Sequence, residues 1–111
     1  MNKFYSFIQN NSFGYYIGPV AIIVRAADSV EANQKAESKG VYFDGKNDCP
    51  CCGNRWSPVS EYDASDVPMV LSSEVVIPNI DEAYEQCISK VDYLGDCFIF
   101  NYKGEKLAYL P

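Results

Sequence analysis

Val20-Ala-Ile-Ile-Val-Arg-Ala-Ala-Asp28-Ser-Val-Glu31 decides the fold reading, because its period changes within twelve residues. Val20 to Ala26 is short, almost wholly apolar and rich in β-branched side chains, the pattern of a strand buried on both faces. Asp28-Ser-Val-Glu31 then sets a capping carboxylate three residues ahead of a glutamate, which satisfies the first free amides of a helix. The spacing predicts a helix from Ser29 to about Lys39. Gly40 ends it, since a residue without Cβ reverses the chain there at little steric cost. Val30, Ala32 and Ala36 are the helix's only apolar side chains, so it should cover one sheet face from the edge. Val41 to Phe43 reads as a strand again.

Working outward, Lys3 to Gln9 alternates loosely and stops at Asn10-Asn11, which predicts a strand and a turn. Ser12 to Pro19 holds Tyr15 and Tyr16 between Gly14 and Gly18, suiting an aromatic-bearing loop. Ser57 to Pro68 carries Glu61, Asp63 and Asp66 without a clear period and reads as a surface loop. Val67 to Leu71 and Glu74 to Ile77 are short strands that Pro68 and Pro78 confine to edges. Ile80, Ala83, Tyr84, Cys87, Ile88 and Val91 form an apolar stripe at three- and four-residue spacing, predicting a second helix from Asn79 or Asp81. Cys97 to Tyr102 and Glu105 to Leu110 make a hairpin around Lys103-Gly104. The expectation is a single α+β domain over residues 1–111: a mainly antiparallel sheet with two helices, and a cysteine-containing turn and an acidic loop projecting from one end.

Fifteen acidic residues against nine basic ones give a net charge of -6, and histidine is absent. Duplex nucleic acid is disfavoured, since displacing counterions from phosphate takes a basic face; a basic partner fits. Without histidine the usual general base and the commonest metal ligand are missing. No apolar run suits a signal peptide or a membrane span, so a cytoplasmic protein is expected. In that compartment five cysteines, an odd number, read as thiols or metal ligands.

Three of those cysteines and the sole tryptophan fall between Tyr42 and Trp56. Cys49-Pro-Cys-Cys-Gly53 matches the knuckle Cys-Pro-x-Cys-Gly, in which a tight turn aims two thiolates at one tetrahedral ion; Cys49 and Cys52 would be the zinc ligands. One knuckle supplies two ligands of four, and Cys87 and Cys97 lie in other expected elements. Three readings stay open: a metal-free turn with buried or capping thiols, which leads; zinc held within one chain; and a site shared between subunits or a redox pair.

Tyr42-Phe-Asp-Gly45, followed by Asp48-Cys-Pro-Cys-Cys-Gly-x-Arg-Trp56, resembles a group of small uncharacterised proteins encoded by tailed bacteriophages. The resemblance covers about Val20 to Trp56, and the group shares the strand and acidic, alanine-rich helix ahead of the motif. It implies a viral accessory protein working in the cytoplasm of an infected bacterium. Accessory proteins of this size often interfere with host defence, by blocking a host protein or trapping a nucleotide signal.

Most of the nine tyrosines belong to core or sheet surface. Tyr15 and Tyr16, in a glycine-flanked loop, and Trp56, beside Arg55, are the candidates for stacking on a base. Arg25 and Arg55, the two arginines, are the candidates for phosphate. For Arg55 a salt bridge or a stack on Trp56 is the plainer alternative. No serine or cysteine is paired with a plausible base, so no enzyme is expected. The leading expectation is a non-catalytic phage protein that counters host immunity by sequestering a nucleotide-derived signal, at a dimer interface if it oligomerises. The alternative is an acidic interaction module that inhibits a host defence protein directly. A zinc-knuckle structural protein or a signal-degrading enzyme comes third.

Overall fold

The structure, a computed structural model, describes residues 2–9, 19–43, 56–70, 73–77, 98–102 and 105–110. In it the apolar run is strand β2 (Ala21–Ala26), paired antiparallel with β1 (Lys3–Ile8). On its other side β2 pairs parallel with β6 (Glu105–Leu110), which closes an antiparallel hairpin with β5 (Phe98–Tyr102). The order is β1-β2-β6-β5, so β2 and β6 are the inner strands. That position explains a run apolar at every residue from Ala21 to Val24, all fully buried. Each such branched side chain contributes about 1.5–3 kcal/mol by leaving water.

One sheet face presents Tyr5, Phe7, Ile22, Val24, Ala108 and Leu110 to helix α1 (Ser29–Ser38). Ala32 and Ala36 are the helix's contribution to this core, and Trp56, Val59 and Val41 fill in around them. The opposite face, Ala21, Ile23 and Leu107, is covered by Val70 and Val75, from and just after the small hairpin of β3 (Met69–Val70) and β4 (Ser73–Glu74). Strand alternation assigns the side chains: Tyr5 and Phe7 point to α1, Phe4 and Ser6 away from it.

The ends of α1 follow the sequence. The Glu31 amide donates to Asp28 Oδ1 at 2.8 Å, while the Glu31 carboxylate pairs with Lys35 Nζ at 3.3 Å. At the other end Gly40 has φ 99°, its N–H donates to Glu37 O, and Val41 N–H donates to Ala36 O. This double bond pattern with Val41 packed in the same core as Ala36 is a Schellman closure.

The expected α+β layout, a mainly antiparallel sheet with two helices, is corrected. Among the described residues α1 is the one α-helix, six strands form two sheets, and the larger sheet is mixed because β2 and β6 run parallel. The range expected to form a second helix lies outside the described residues. Val41 to Phe43 forms no strand; the chain bends at Phe43, which stacks on Phe7 with ring centroids 5.8 Å apart. The short strands near 67–77 are confined to two residues each. Nor does the acidic segment project: it lies along the outer edge of β1 and across the start of α1.

Candidate functional site

Residues 56–68 form a strap that long-range bonds tie to the sheet and helix. Trp56 anchors it, fully buried against the α1 face, with its indole Nε1 lacking a hydrogen-bond partner among the described residues. Asn33 of α1 then bonds Val59 twice: its Nδ2 donates to Val59 O at 3.0 Å and its Oδ1 accepts from Val59 N at 2.9 Å. Next comes a 3-10 turn, Glu61–Asp63, whose first free amide is satisfied locally, Ser60 N donating to Asp63 Oδ2 at 2.7 Å.

Glu61 joins the strap to both α1 and β1. One carboxylate oxygen accepts from Ser29 N at 2.7 Å, at the start of α1, and the other from the Tyr5 hydroxyl at 3.2 Å. A negative charge at a helix N-terminus is favoured there by the free amides and the helix dipole. The Ser29 hydrogen bond holds the Glu61 carboxyl below its ordinary range, with a smaller contribution from Tyr5. Burial pushes the Tyr5 phenol up, and the Glu61 charge adds to it.

Beyond the turn the strap meets β1. Ser65 and Phe4 exchange both backbone hydrogen bonds at 2.9 Å, and Lys3 pairs with Asp66. The contact lasts one residue of β1, because the chain on the Tyr62 side has already curled into the 3-10 turn. A cleft of about 420 Å³ opens there, bounded by Ser6, Ile8, Tyr62, Asp63, Ser65 and Met69. The Ser6 hydroxyl donates to Met69 O and holds β3 against the cleft floor. Tyr62 stands at the rim, 99% exposed between Glu61 and Asp63.

Of the residues the sequence nominated, Arg25 is exposed on β2, opposite Phe4 and hence on the β3–β4 side of the sheet. Trp56 is in the core on the α1 side. The sheet separates the two, so they do not share a pocket. Tyr15, Tyr16, Arg55, Cys49 and Cys52 lie outside the described residues. Among the described residues no group of three or more His, Cys, Asp and Glu side chains is placed to hold a metal. Sequence reasoning passed over Tyr62. The available signal was an aromatic residue between two carboxylates in a stretch with no period to bury it.

The arrangement sets an exposed phenol and the Asp63 carboxylate beside an outer strand edge that, among the described residues, pairs with the strap at Phe4 alone. Among its described residues the chain is thus mainly β, with an acidic strap across one sheet edge. It belongs to the family described as Domain of unknown function (DUF7296), whose model matches residues 2–110. No curated protein and no solved structure matches it. Among the described residues no helix is long and apolar enough to cross a membrane.

Proposed function

We propose that this chain is a non-catalytic, phage-encoded binding protein that counters host defence in the bacterial cytoplasm by docking its acidic strap on a host protein. The phage origin rests on the motif around Cys49–Trp56, and the docking on one observation: Tyr62, 99% exposed between two carboxylates at the mouth of a cleft. Tyrosine gives a large, stiff contact area and is enriched among residues that dominate interface energies. The strap's bonds to α1 and β1 fix its backbone before binding, which lowers the ordering cost of association. The net charge of -6 selects a partner with a basic face.

Sequestration of a nucleotide signal is the second reading, and it stands on Tyr15, Tyr16 and Arg55, outside the described residues. Plaque counts decide between them. The protein is expressed in bacteria carrying defence systems, and each strain is challenged with a phage that its system restricts. Wild type restores plaques on at least one strain, and Tyr62→Ala loses that effect. Restoration by Tyr62→Ala but not by a Tyr15→Ala, Tyr16→Ala double variant would move the conclusion to sequestration.

A further inference from the structure

We infer that the cleft beside Tyr62 is a strand-docking site, in which an extended, basic peptide segment of the partner pairs with the outer edge of β1 at Ser6 and Ile8. The inference rests on the acidic docking reading and names its chemistry. Phe4 gives both backbone groups to Ser65, away from β2, whereas Gln9 N–H turns the other way to Val20 O at 2.9 Å. Groups in an antiparallel pair alternate sides, so Ser6 and Ile8 aim their N–H and C=O away from β2 as Phe4 does. Among the described residues these four outward groups have no backbone partner.

The strap begins to pair with this edge and then abandons it. Register from Phe4↔Ser65 would carry the strap past Ser6 near Asp63, but there the chain is coiled into the 3-10 turn. The cleft occupies the vacated lane. Unpaired strand edges template the pairing of another chain, and β-strand addition is a common mode of peptide recognition.

Charge decides the occupant. Asp63 lines the lane, while Glu61 is bonded to Ser29 and Tyr5 and Asp66 is paired with Lys3, and the whole chain carries -6. A second copy paired through β1 would bring two acidic straps together, whereas a lysine- or arginine-bearing strand would find the Asp63 carboxylate at one side and the Tyr62 ring at the rim. Ile8, 36% exposed, supplies an apolar contact for the alternate side chains.

The test titrates the isotope-labelled full chain with a heptapeptide of alternating lysine and valine. A control peptide keeps the lysines and replaces each valine by proline, which removes backbone donors at equal charge. The expected result is that Ser6 and Ile8 amide signals shift and their hydrogen exchange slows with the first peptide alone. Ile8→Pro, which deletes an outward donor without touching a β1–β2 bond, weakens binding about tenfold, the size of one lost hydrogen bond. Tyr62→Ala, at a residue with no packing role, weakens it too and carries the test if Ile8→Pro unfolds. Equal binding of both peptides, or shifts away from β1, would overturn strand docking and leave acidic docking standing. Absence of binding by either peptide also overturns strand docking, and the plaque counts then judge the docking reading separately. A free chain that is already dimeric, with Ser6 and Ile8 amides protected, overturns it in favour of a second copy.

Discussion

At the scale of single residues, Glu61 and Trp56 do the work that makes the strap a fixed surface. Glu61 joins the first amide of α1 to the Tyr5 hydroxyl, and its carboxyl is held below the ordinary value near 4.5. A depressed carboxyl stabilises the folded chain fully above its unfolded pKa, and that contribution disappears as pH falls through the lower folded value. Glu61→Gln is therefore less stable than wild type at pH 7, and the difference closes between about pH 5 and the folded pKa. Urea midpoints measured at several pH values for both proteins check this. Tyr5 has the opposite sign. Its raised phenol contributes stability below pH 10, its ordinary value, that is lost as pH rises through the folded value. Trp56→Ala removes a fully buried indole and should cost about 3–5 kcal/mol in urea unfolding. A gap as small as an exposed tryptophan would leave, below about 1 kcal/mol, would contradict its place in the core.

At the scale of elements, legibility followed the range of the interactions. Helix α1 was legible nearly to the residue because its start, stop and buried alanines are set within its own thirteen positions, from Asp28 to Gly40. Gly40→Ala forces a Cβ into a left-handed position and should cost about 1 kcal/mol, and Asp28→Ala, which frees the Glu31 amide, about 1 kcal/mol as well. Thermal unfolding of the two variants and their double measures both, and the two costs should add because the sites are at opposite helix ends. The β5–β6 hairpin was legible for the same reason. The strap was not. Its carboxylates read as a solvated face, since their partners, Tyr5, Ser29 and Lys3, lie from 32 to 63 positions away. The parallel β2–β6 pairing joins residues Ala21 and Leu107, a separation that no local pattern reports. Tyr62 was missed because a sequence gives the composition of a loop but not the direction in which its bonds turn a side chain.

At the scale of the whole molecule, one property acts with opposite sign on folding and on association. Fifteen acidic and nine basic groups leave the folded chain repelling itself, and salt screens that repulsion with a Debye length of about 10 Å at 0.1 M. Raising salt from about 0.02 to 0.5 M at pH 7 should therefore raise the urea midpoint of the free protein. The ion pairs seen at the surface do not reverse this, because Lys3–Asp66 and Glu31–Lys35 are both substantially exposed and such pairs contribute little. Docking of a basic segment at the strap responds the other way. Its attraction is between exposed charges on separate molecules, so the same salt increase should slow association and weaken the complex, chiefly through the on-rate. Asp63→Asn separates the two effects. It keeps an oxygen to accept from Ser60 N while deleting one charge beside the cleft, so the stability of the free chain changes little and the salt slope of binding becomes shallower. Parallel salt series, one of urea midpoints and one of association rates with the lysine–valine peptide, read both signs. Two slopes of the same sign would show that binding is held by apolar contact at Ile8 and Tyr62, with the acidic strap serving only to hold that contact in place.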